Sequence, residues 1–126
     1  MKKLRIYHCG RIAGWVADAH WAFGAWLTKN YPLRHNLDLF LKATSSLTTC
    51  KGPAWGYFYP AFPPAIVLAC RRPKYTLNKR CGDLLDTFAH EWCHYEQWRD
   101  GHKFHHRGLQ RRVDSLIRLF RKELNI

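Results

Sequence analysis

Acidic side chains are scarce in this chain. Nine Asp+Glu stand against 21 Lys+Arg, a formal net charge of +12 over 126 residues, and the basic residues run from Lys2 to Lys122 without gathering in one tail. A field of that sign favours polyanionic partners, nucleic acid ahead of anionic membrane, through phosphate contacts and counterion release. Paired cysteines are missing as well: Cys9, Cys50, Cys70, Cys81 and Cys93 form no C-x-x-C. An odd count cannot close completely into internal disulfides, so reduced thiols in a cytosolic setting are expected. Long apolar runs are also absent. The run "GWVADAHWAFGAWL" is too short to span a bilayer and carries Asp18 and His20, while Arg5, His8 and Arg11 interrupt what would be the apolar region of a signal peptide. The expectation is a cytoplasmic or nucleoid-associated protein without a membrane segment. No internal repeat or low-complexity tract occurs, and the length suits a single domain over residues 1–126.

Apolar and aromatic residues are plentiful, at 47% and 15% with six Trp, which is the composition of a folded protein. "RIYHCGRIA" reads as a short first strand or an irregular lead-in. Residues 13–29 read as a helix with Trp15, Ala19, Ala22, Phe23 and Trp26 near one stripe, ended by Asn30-Tyr31-Pro32. A second helix is expected around Leu37 to Leu47. "WGYFY" and "AIVLAC" are β-type runs separated by "PAFPPA", whose prolines forbid a helix across the gap. After the basic loop "RRPKYTLNKRCG", Asp83 is a plausible N-cap for a helix running to about Arg99, stopped by Asp100-Gly101. From about Arg107 to Leu124, Leu109, Val113, Leu116, Ile117, Phe120 and Leu124 recur at spacings of three and four, opposite a face of arginines. Helices packed on a short β-sheet make an α+β fold.

Five of the eight histidines lie in "HEWCHYEQWRDGHKFHHRG", residues 90–108. His90-Glu91-Trp92-Cys93-His94 fits H-E-x-x-H, a pattern that needs a helix, because the i, i+4 relation points two imidazoles at one ion from one face. At 100° per residue, Leu85, Phe88, Trp92 and Tyr95 share one side, whereas Asp83, Thr87, His90, His94 and Gln97 fall on roughly the opposite one. The first side is core and the second is free to face a cleft. Cys93 points away from the histidines and reads as a small buried hydrophobe. A catalytic zinc takes three protein ligands and keeps a position for water. His102, His105 and His106 all compete for the third place, and isolated His8, His20 and His35 read as surface or satisfied core residues.

The segment "FAHEWCHYEQWRDGHKFHHRGLQRRV" resembles the active-site segment of the SprT-like (Spartan-type) zinc metallopeptidases, and "AIVLAC" is similar to the strand that precedes the metal helix in that family. The resemblance covers about residues 54 to 120. It implies a small zincin-like (minigluzincin/SprT-like) domain with H-E-x-x-H on the central helix. It further implies Zn²⁺ bound by His90, His94 and a third histidine just before the next helix, with Glu91 as general base in peptide-bond hydrolysis. His106 stands just before "RG" at the start of the last helix and is the preferred third ligand, with His105 next and His102 last. "AIVLAC" is the candidate edge strand for holding substrate by strand addition. The implied substrates are DNA-associated proteins. The rival reading is a nucleic-acid-binding module whose zinc is structural, closed by a fourth histidine and without catalysis.

Overall fold

The computed structural model describes residues 2–71, 85–102 and 106–124. Within them the element order is β1 (Leu4–Cys9), α1 (Gly14–Asn30), β2 (Leu37–Lys42), β3 (Leu47–Thr49), β4 (Gly52–Ala54), β5 (Gly56–Tyr59), β6 (Ala65–Ala69), α2 (Leu85–Arg99) and α3 (Leu109–Leu124). The fold is α+β. Four strands form a mixed sheet in the order β1-β2-β6-β5, and β3 pairs with β4 in a small separate hairpin. β1, β2 and β6 run parallel, and β5 joins the far side of β6 in the antiparallel sense.

The lead-in 4–9 is a strand, and the first helix lies within a residue of its expected bounds. The helix expected around Leu37 to Leu47 does not form; that stretch holds β2 and the start of β3. The physical reason is the period: Leu37, Leu39 and Leu41 are fully buried while Asp38, Phe40 and Lys42 turn outward, a spacing of two that fits a strand between two partners. The apolar stripe of α1 is also displaced. Trp15 and Ala22 are exposed, and the buried line is Val16, His20, Phe23 and Leu27. A histidine can occupy that line because His20 Nδ1–H donates to the Val16 carbonyl at 2.8 Å and its ring stacks on Phe88.

β6 is almost wholly apolar because it is an interior strand, hydrogen-bonded on both sides and covered on both faces. Its inward residues Ile66 and Leu68 join Leu37, Leu39 and Leu41 under the helices. There Phe23 of α1 meets Phe88 of α2 and Phe120 of α3 at ring separations of 5.3 and 5.0 Å, tying three helices into one core. α3 carries the expected stripe, with Leu109, Val113, Leu116, Ile117 and Phe120 buried and only Leu124 of the six exposed. Arg112 of α3 reaches across to Glu96 of α2 with two hydrogen bonds of 3.2 and 2.8 Å.

Candidate metal centre

α2 presents the residues singled out in the sequence. Leu85, Phe88, Trp92 and Tyr95 are fully buried on the core side, and Cys93 is buried with them. The helix stops where Asp100-Gly101 was expected to stop it. Gly101 takes φ of +75°, its N–H donates to the Trp98 carbonyl, and the His102 N–H donates to the Gln97 carbonyl at 2.8 Å. That is a Schellman turn, which a glycine makes without steric cost. The expected cap, Asp83, lies outside the described residues.

Beyond the turn the chain returns so that His106, just ahead of α3, lies against the helical pair. The ring centroid of His106 is 5.4 Å from that of His90 and 5.3 Å from that of His94, and the two helical rings are 4.8 Å apart. One nitrogen from each of the three lies within 4.8 Å of the others, which is within reach of a single ion. His102 is exposed and takes no part in this cluster, and His105 lies outside the described residues. Of the isolated histidines, His20 is core, His8 accepts a hydrogen bond from Trp21, and His35 packs against Trp98 and Phe62.

The donor set suits a borderline metal such as zinc, which takes neutral imidazole. Burial, with His94 and His106 nearby, pulls the His90 pKa down to about 4, so its ring is neutral and open to a ligand bond at neutral pH. His94 Nδ1–H donates to Gln97 Oε1 at 2.9 Å, which makes Nε2 the unprotonated nitrogen of the ring. Partners of this kind set ring tautomer and direction in metal sites. Gln97 lies on the histidine side of the helical projection, but no residue spacing marks it as an orienting group.

Glu91 is the surprise of the helix. It is only 6% exposed, burial pushes its pKa up to about 7, and the Phe58 backbone N–H, which donates to the carboxylate, draws it back only in part. Phe58 belongs to β5. This strand and the β3–β4 hairpin form one wall of a cleft of about 560 Å³ whose other wall is His90, Glu91 and His94. The expectation that "AIVLAC" is the edge strand is therefore corrected. β6 has a hydrogen-bonded neighbour on each side and offers no free edge, whereas among the described residues β5 is the terminal strand, and it lines the cleft. Sequence pattern misses this because edge and interior are properties of pairing, although the fully apolar "AIVLA" against the mixed "GYFY" was a signal of it. Neither a protein family, nor a curated protein, nor a solved structure matches this chain.

Proposed function

We propose that the chain is a zinc-dependent metallopeptidase of SprT-like, zincin type that hydrolyses peptide bonds in DNA-associated proteins. The observation that carries this reading is Glu91: a buried carboxyl group that lines, beside His90 and His94, a cleft walled on its other side by β5. A solely structural metal site has no use for a desolvated carboxylate beside it.

In this reading His90, His94 and His106 hold the ion, which supplies a Lewis acid and lowers the pKa of a water molecule towards ~7. β5 receives an extended segment of the substrate alongside it, so that main-chain hydrogen bonds set the scissile carbonyl beside α2. Glu91 takes a proton from the attacking water as the new C–O bond forms. It returns a proton to the amide nitrogen as the C–N bond breaks, leaving a carboxylic acid and an amine. A carboxyl group poised near neutrality does both jobs with little loss in either direction. The DNA association is supported by the net charge of +12.

The test is Glu91→Gln, in which zinc stoichiometry is expected to stay at one per chain while cleavage of a basic DNA-bound protein disappears. Cleavage at the wild-type rate would remove Glu91 from the role of base. An X-ray absorption spectrum showing four protein ligands on the zinc would replace the peptidase by a structural site.

A further inference from the structure

The four-stranded sheet has a second terminal strand, which the metal centre does not use. Among the described residues β1 bonds to β2 on one side and to no strand on the other. The Lys3 carbonyl accepts from the Leu37 N–H and the Cys9 carbonyl from the Ala43 N–H, both at 3.0 Å. Alternation along a parallel ladder therefore turns the main chain of Lys3, Arg5, Tyr7 and Cys9 towards β2, and that of Leu4, Ile6 and His8 outward. Neither a proline nor a bulge blunts this edge, since "LRIYHC" keeps continuous register with β2 from Leu4 to Cys9.

The helix side of the edge is shaped as well. A Cβ on Gly24 would meet Leu4 Cδ2 at 2.7 Å, so a glycine there lets α1 lie close on β1. Trp21, Ala25 and Thr28 follow one line of α1 and, with Leu4 and Ile6, border a groove of about 310 Å³. Trp21 is 49% exposed, and its indole N–H donates to His8 Nε2 at 3.1 Å, which holds the ring at one end of the groove. Lys2 and Lys3, both exposed, stand at the other end. Asp18 is the single acid of α1, and it lies a turn before Trp21, away from the lysines.

We propose that β1 is a docking edge for an extended acidic segment of a partner protein, added to the sheet as a fifth strand. The segment bonds through its main chain to Leu4, Ile6 and His8, places alternate apolar side chains in the groove beside Trp21, and sets its carboxylates against Lys2 and Lys3. Nucleic acid has no ladder of N–H and C=O groups with which to continue a sheet. A second copy of this chain fits poorly too. Antiparallel pairing of two β1 edges brings the Lys2–Lys3 end of each against the Arg11 end of the other, between molecules of net charge +12, and like charges facing across strands are unfavourable. Three strand spacings, about 14 Å, separate β1 from β5, so a partner held here leaves the metal cleft open.

Fluorescence anisotropy with the labelled peptide Glu-Glu-Val-Thr-Val-Thr-Val-Glu-Glu tests the proposal. The double variant Lys2→Glu, Lys3→Glu is expected to weaken binding roughly tenfold, and Ile6→Pro, which removes an outward N–H but no bond to β2, by about as much. Amide hydrogen exchange on the wild-type chain keeps the test independent of how the variants fold. Saturating peptide should slow exchange at Leu4, Ile6 and His8 and leave Arg5 and Tyr7, already bonded to β2, unchanged. Slowing confined to β5 would overturn the proposal, as would equal binding of a peptide whose glutamates are replaced by lysines. Equal binding of nine-residue oligoglutamate would overturn it by reducing the contact to charge alone. A homodimer dissolved by Ile6→Pro would overturn it by giving the edge to a second copy.

Discussion

His94 depends on a neighbour three residues along its own helix. With Gln97 accepting from Nδ1 at 2.9 Å, the ring is fixed in the tautomer whose Nε2 is unprotonated. Gln97→Ala removes that acceptor without touching the cluster, and zinc affinity is expected to fall ten- to a hundredfold in competition with a chelator. Gln97→Glu, which keeps an acceptor, should retain most of it. His20 makes a different prediction. Its pKa is lowered to about 4 by burial, with the Val16 carbonyl offsetting only part of the effect, against 6.5 for an exposed ring. The unfolded chain therefore binds the extra proton first as pH falls. Stability present above pH 6.5 is lost towards pH 4, by about 3 kcal/mol at most from this group. Urea titrations across that range should show the slope, and His20→Gln should flatten it.

At the scale of elements, the cleft exists because β5 lies hard against α2. A Cβ on Gly56 would come within 2.6 Å of Thr87 Cγ2 and 2.9 Å of Leu68 Cδ2, so only glycine lets the strand approach this closely. Gly56→Val is expected to cost about 1–3 kcal/mol in urea denaturation and, on the proposed peptidase reading, to reduce cleavage further than stability alone explains, because it displaces the strand given the substrate-holding role there. Much of this layer was legible in the sequence. α1, α3, β5 and β6 stand close to where periodicity and proline placement put them, since both signals are local. β2 was misread because "LDLFLK" is short and leads on to further apolar residues, and a period of two over six residues is easily taken for the edge of a helix. The exchanged roles of β5 and β6 have another cause: which strand is terminal depends on a crossover that no local pattern records.

Over the whole molecule, His106 lies in the connection between α2 and α3, and a metal bound to it and to α2 joins the two helices outside their packed core. Removing zinc with a chelator is therefore expected to lower the melting temperature, and zinc at a hundred times its Kd to restore about 2.7 kcal/mol. A melting curve indifferent to zinc would mean that the cluster binds none. DNA binding should fall steeply with salt, and a flat dependence would set aside the role given to the +12 charge. Among the described residues no helix is long and apolar enough to cross a membrane. The sequence by itself determined the His90–His94 pair, the glutamate beside it and the core side of their helix, because a helix turns 100° per residue and that relation is complete within five residues. It left three histidines competing for one position. Only the tertiary structure brought His106 to the pair, buried Glu91 against the Phe58 backbone, made β5 the terminal strand among the described residues and aligned Tyr7 with Phe40 across two strands. Each of those depends on segments distant in sequence meeting in space, and such meetings are decided by how the whole chain packs.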